Sequence, residues 1–292
     1  METIFTDLKR IFRRGNMLAD IICVNIGVFI LLKLTGVFLM LFDVPDTGFQ
    51  RYLEVPSSPS LLLYRPWTAI TYMFTHYDIW HILFNMLWLY WFGRIFLQFF
   101  NPRRLAGLYL LGGIAGACLF VLAYNVFPYF RTVADTSYLL GASASVMAIV
   151  FAISFYRKDY EIGLLFIGRV KLIYLALFTL AIDLMAITST NAGGHIAHLG
   201  GAFLGIWFAS RMKAGRDLTA PLNRLIDRIV NLGKRKPKMH VSYRRTESDQ
   251  EYNARKHQES AELDAILDKL KRSGYGSLSA EEKRRLFNAG KN

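Results

Sequence analysis

Residues 193–205 read Gly193-Gly-His-Ile-Ala197-His198-Leu-Gly-Gly201-Ala-Phe-Leu-Gly205. Small residues recur every four positions, at Gly193, Ala197, Gly201 and Gly205. Such a stripe lets two helices approach closely in an apolar medium, where packing drives association. His198 lies within it, and a polar side chain at such a place is costly and usually has a job. Working outward, apolar blocks fall at Ile21–Phe42, Ile79–Phe100, Leu105–Phe127, Tyr138–Tyr156, Leu172–Thr188 and Ala192–Ala209. About 20 apolar residues span a bilayer as a helix. The blocks predict an all-α integral membrane protein with six transmembrane helices over residues 17–212.

Charge sets the expected orientation. The net charge is +13. One set of connections holds Lys9, Arg10, Arg13 and Arg14, then Arg103 and Arg104, then Arg157, Lys158, Arg169 and Lys171. The tail, residues 213–292, adds 19 Lys/Arg against 11 Asp/Glu. The opposite loops hold only Arg51, Arg65 and Arg131. Positive-inside bias puts both termini in the cytoplasm. A face beside anionic lipid explains the basic balance more simply than nucleic acid does. No cleavable signal is expected, because the first apolar run is too long and no A-x-A site follows. Cys23 and Cys118 lie in apolar segments and read as small hydrophobes.

This topology brings four polar residues to one depth. Spans two, four and six begin at the outer face. Ser143 is expected about five residues into span four, roughly 8 Å below its start. His198 takes a similar position in span six, and His81 and Asn85 lie near the start of span two. Serine becomes a nucleophile when a base takes its proton, and histidine is the usual base. His81 and Asn85 are i, i+4, so they share a helix face and can donate to a developing oxyanion. The backbone N–H of Ser143 is a further donor. The turn-rich loop Asp43–Pro66 is expected beside this site, partly in the interface.

The motifs resemble those of the rhomboid intramembrane serine proteases. His76-Tyr-Asp-Ile-Trp-His81-Ile-Leu-Phe-Asn85 is similar to that family's H-x4-H-x3-N element. Gly141-Ala-Ser143 is similar to its G-x-S element, and residues 193–205 to its G-x3-A-H-x2-G-x3-G element. The resemblance implies Ser143 as nucleophile and His198 as base. It implies His81, Asn85 and the Ser143 backbone as the oxyanion hole, with Gly141 permitting close backbone approach. Gly193, Ala197, Gly201 and Gly205 would support the packing. It further implies cleavage of other proteins' transmembrane segments near the outer face, with no cofactor, no metal and no third catalytic carboxylate. Two departures stand out. Trp67 is followed by Thr68 where many members have Trp-Arg, and Gly93-Arg-Ile-Phe-Leu97-Gln98 lacks a glutamate common at the inner end of span two. Both concern structural anchoring. The alternative reading is a non-proteolytic rhomboid-like protein that binds transmembrane clients.

The rivals are weaker. Ser145 lies about 200° around a helix from Ser143. His195 shares a face with His198 but sits one turn nearer water. A zinc site is not expected, since no H-E-x-x-H is present and no carboxylate lies nearby in sequence. Asp183, the only acid deep in the later spans, is expected to bond a neighbouring helix, with a substrate-access or tuning role as the alternative, and Asp20 is a poor partner for an aspartyl pair. In the tail, Asp217–Leu232 reads as an interfacial helix. Lys234–Gln258 reads as a linker, and Ser260–Arg272 and Ser279–Phe287 as two short helices around Gly274 and Gly276. Ser279-Ala-Glu-Glu282 fits a capping box. A similar C-terminal element occurs on some bacterial rhomboids, which points to a bacterial inner membrane.

Overall fold

The computed structural model describes residues 16–45, 48–164, 168–231 and 248–289. The predicted basic N-terminus, Leu232 and residues 234–247 of the expected linker lie outside them. The chain divides into two compact units, 1–233 and 234–292.

Six long helices build the first unit. They are α1 (Met17–Leu41), α2 (Ile79–Phe96), α3 (Pro102–Val126), α4 (Ser143–Tyr156), α5 (Leu172–Met185) and α6 (Ala192–Lys213). Of these, α1 and α3 are long and apolar enough to cross a membrane by length and composition. Large apolar side chains also face outward on the others, including Trp80, Phe84, Phe178, Met185 and Phe203. Exposed apolar surface on this scale calls for a membrane or a partner.

Helix α4 is the centre. Ala144 and the run Val146–Ile153 are all buried. Glycines make that possible. A Cβ on Gly201 would lie 2.0 Å from the Ala144 carbonyl oxygen, and one on Gly205 2.4 Å from that of Ala148. On the other side, Gly112 and Gly116 of α3 admit Ala148 and Ala144 of α4 in the same way. The predicted stripe therefore does pack, but not as one face. Gly193 meets Phe120 of α3, whereas Gly201 and Gly205 meet α4. Four residues turn a helix about 400°, so a period-four stripe drifts about 40° per step and passes from one neighbour to the next. Gly200, which the four-residue period skips, packs against Ala115 and Gly116 of α3.

Span four starts later than the sequence pattern suggests. Tyr138–Leu139 (β2) is a short strand paired antiparallel with Val55–Pro56 (β1), and α4 opens at Ser143. Gly141 between them has φ +110. Hydrophobicity continues through this stretch, so periodicity alone placed the helix start five residues early. Between α4 and α5, Glu161–Leu164 (β3) pairs with Gly168–Lys171 (β4).

The first loop is anchored despite the departures noted above. Trp67 donates its indole N–H to the Tyr52 carbonyl at 2.8 Å, and Arg65 sits 3.9 Å over the Tyr52 ring. At the opposite end of the unit, Asp217 accepts from Arg104 at 2.7 Å and from the Thr219 backbone and hydroxyl. Partial burial raises the Asp217 carboxyl, but these donors outweigh it and hold it below the usual carboxylate range. Its contribution to stability is therefore present above pH ~3.9 and is lost as pH falls through the lower folded-state value. Thermal unfolding in detergent between pH 6 and 3 should show that loss, and Asp217→Asn should lack it.

After it, α7 (Ala220–Asn231) keeps Leu225, Ile229 and Val230 exposed. In the second unit, α8 (Asp249–Ser273) begins inside the expected linker. Ser248 and Glu251 form a capping box there, which starts the helix despite its polar composition. Helix α9 (Ala280–Ala289) is capped by Ser279 and Glu282 as the sequence suggests. Lys269 of α8 pairs with Glu282 at 2.9 Å.

Candidate active site

The polar residues of α2, α4 and α6 converge on one cavity of about 740 Å³. Its lining includes His81, Asn85, Ser143, Asp183 and His198, beside aromatic side chains such as Trp80 and Trp88. Ser145 and His195, the rivals in sequence, are not among its lining residues. Ser145 is 1% exposed and packs against Gly112 of α3.

Each residue has a local reason for its place. Asp78 caps α2 by accepting from the N–H groups of Trp80 and His81 at 2.8 and 2.9 Å. That cap starts the helix at Ile79, nearly two turns before Asn85. The His81 ring lies over Gly141, where a Cβ would be 2.7 Å from its Cε1 atom. Gly141 is thus required twice, by positive φ and by this contact. Its N–H donates to the Tyr72 carbonyl at 2.9 Å. Ser143 is the first residue of α4, so its N–H has no intrahelical acceptor and remains available as a donor. Among the described residues no hydrogen bond joins the Ser143 hydroxyl to His198. Such contacts are often long until substrate is bound.

His76 is a residue that the sequence reading quoted without a role. Its Nε2 accepts the Ala142 N–H at 3.2 Å and contacts Asn85 Nδ2 at 3.3 Å. Asn85 also donates to the His81 carbonyl at 3.0 Å. His76 therefore ties the loop before the nucleophile to α2. Its position in the first His of the H-x4-H-x3-N element was the available signal.

The fold also brings Asp183 of α5 to α6. Its Oδ1 lies 2.8 Å from Nδ1 of His195 and 2.8 Å from Nδ1 of His198. The expected bond to a neighbouring helix is present. No carboxylate lies near these histidines in sequence, yet Asp183 meets both in space, because the 186–191 connection folds α5 back on α6. The three groups could in principle offer ligands to a cation. Ligands on zinc at 2.0–2.1 Å stand roughly 3.3 Å apart in a tetrahedral site. At 2.8 Å each nitrogen is within hydrogen-bond distance of the carboxylate, and hydrogen bonding accounts for the arrangement.

The Rhomboid domain family matches residues 64–213, about half of the chain. A family of unknown function (DUF6576) matches residues 246–291. The chain is 31% identical over 158 residues to RHOMBOID-like protein 12, mitochondrial, of Arabidopsis thaliana, covering 51% of this chain and 47% of that protein. It is 29% identical over 150 residues to the human Presenilin-associated rhomboid-like protein, mitochondrial, covering 47% and 35%. A Danio rerio relative, Presenilin-associated rhomboid-like protein A, mitochondrial, is 24% identical over 192 residues, covering 61% and 45%. The chain thus spans half or less of the length of these relatives. Their names are mitochondrial, which does not match the bacterial membrane expected above. The matched segment holds α2, α3, α4, α5 and α6 and every residue of the cavity cluster, and on that match the chain belongs to the rhomboid family of membrane proteins.

Proposed function

We propose that this chain is an intramembrane serine endopeptidase that cleaves transmembrane segments of other proteins near the outer face. The observation that carries the reading is the single cavity lined together by Ser143, His198, His81 and Asn85. Ser143 Oγ attacks the scissile carbonyl carbon while its proton passes to His198. Charge develops on the carbonyl oxygen, and His81, Asn85 and the Ser143 N–H are the donors for it. His198 returns the proton to the leaving amine as the C–N bond breaks. Water, deprotonated by the same histidine, then hydrolyses the acyl ester and restores Ser143.

In this reading the six apolar helices all cross the bilayer and both termini are cytoplasmic, as the charge distribution suggests. The partners are transmembrane substrates and lipid, with no nucleic acid. The resemblance of the C-terminal element to one on some bacterial rhomboids supports a bacterial inner membrane. The relatives' names carry a mitochondrial alternative, which cell fractionation decides.

Labelling with a fluorophosphonate probe tests the chemistry. Wild-type protein should label, and Ser143→Ala should not. An unlabelled wild type would leave the client-binding alternative standing. Gly141→Ala should slow labelling by about 10²-fold, the usual cost of one lost oxyanion donor, because the methyl group displaces His81. Labelling at the wild-type rate would remove His81 from the site.

A further inference from the structure

We propose that Asp183 is a positioning residue for His198, so that the site operates as a carboxylate–histidine–serine set held from α5. The proposal rests on the serine-protease reading above and adds a third member to the expected pair.

The geometry assigns the proton. An ionised carboxylate only accepts hydrogen bonds, and a neutral imidazole carries one N–H and one lone pair. With Nδ1 of His198 at 2.8 Å from Asp183 Oδ1, the proton is on Nδ1. The lone pair is then on Nε2, the form that can take a proton from Ser143. Without the carboxylate the ring is free to choose the other tautomer and to rotate. When His198 takes the serine proton it becomes a cation, and Asp183 stabilises it while remaining unprotonated.

The place of Asp183 shows that it is held for a purpose. It is 4% exposed and stands two residues from the C-terminal end of α5. A helix C-terminus carries partial negative charge and disfavours an anion. Burial disfavours it again. His195 offsets both by donating its own Nδ1–H to the same Oδ1 atom. Its ring stands nearly perpendicular to that of His198, at 81°. His195 is outside the cavity lining, so its part is to fix the carboxylate and not to touch substrate. Few other buried groups hold α5: Leu172 and Ala176 near its start are the remaining ones.

The decisive variant is Asp183→Asn in the full chain. Asparagine keeps the size and one accepting oxygen, so a merely structural tie between α5 and α6 survives. The anionic charge is lost. Expected results are a fall of at least about 30-fold in kcat and in the rate of fluorophosphonate labelling, with KM within about two-fold and thermal stability retained. Unchanged kcat would overturn the proposal, as would a rise in KM alone, which would assign Asp183 to substrate access. A second measurement needs no variant. Imidazole 15N resonances of the wild-type protein should show His198 as the Nδ1–H tautomer, and the Nε2–H tautomer would overturn the proposal. A wild type that does not label at Ser143 sinks the protease reading and this inference together. Labelling in the wild type with an indifferent Asp183→Asn sinks this inference alone.

Discussion

Ser143→Ala is expected to reduce cleavage of a reporter transmembrane substrate by at least about 10³-fold, and His198→Ala by a similar factor. The two losses should not multiply. Nucleophile and base act as one unit, so the double variant should be no worse than either single one. The physical reason is that an unassisted hydroxyl holds its proton at neutral pH, while an imidazole without a nucleophile has nothing to activate but water. Because α4 begins at Ser143, removing the hydroxyl leaves its packing intact. Melting temperatures of the variants should therefore match the wild type. Two rates within ten-fold of wild type would remove Ser143 and His198 from the chemistry and favour client binding.

Gly201→Leu is the second large effect, and it acts on the fold. A Cβ at this position would sit 2.0 Å from the Ala144 carbonyl oxygen and 3.2 Å from the Ala144 Cα. These are backbone atoms of the helix that carries the nucleophile, so no side-chain rotation relieves the clash. Helices α4 and α6 must separate, or the variant does not fold. The expected cost is about 3 kcal/mol or more, at or above the upper end of ordinary overpacking. It should appear as a large drop in melting temperature together with loss of Ser143 labelling. By contrast, Gly27→Leu on α1, where nothing lies within 4 Å, should be tolerated. Equal stability of the two variants would mean that α4 and α6 do not meet as described.

Much of this site was visible in the primary structure, for identifiable reasons. Ser143, His198, His81 and Asn85 lie in short motifs whose spacing is local, so the chain order alone relates them. The capping box at Ser279 was equally local. What escaped was of two kinds. Contacts across distant segments, such as Asp183 with His198 and His76 with Ala142, depend on how loops return the chain. No periodicity reports that. The second kind was a backbone event inside a continuous apolar run. Gly141 adopts positive φ and delays α4 to Ser143, while hydropathy runs on unbroken from Tyr138. The polar start of α8 was legible in principle. Ser248-Asp-Gln-Glu251 carries the same S-x-x-E pattern as Ser279, and its charged surroundings concealed it.

The glycine contacts that join α3, α4 and α6 have a thermal consequence. Protein cores in water owe their curved stability against temperature to the hydration of apolar surface exposed on unfolding. On the proposed reading, these helices separate into lipid, and backbone pressed on backbone releases no water when it forms. The heat-capacity change for parting them should be small. Their association should then vary nearly linearly with temperature and show no cold-induced loosening, unlike a soluble bundle of the same size.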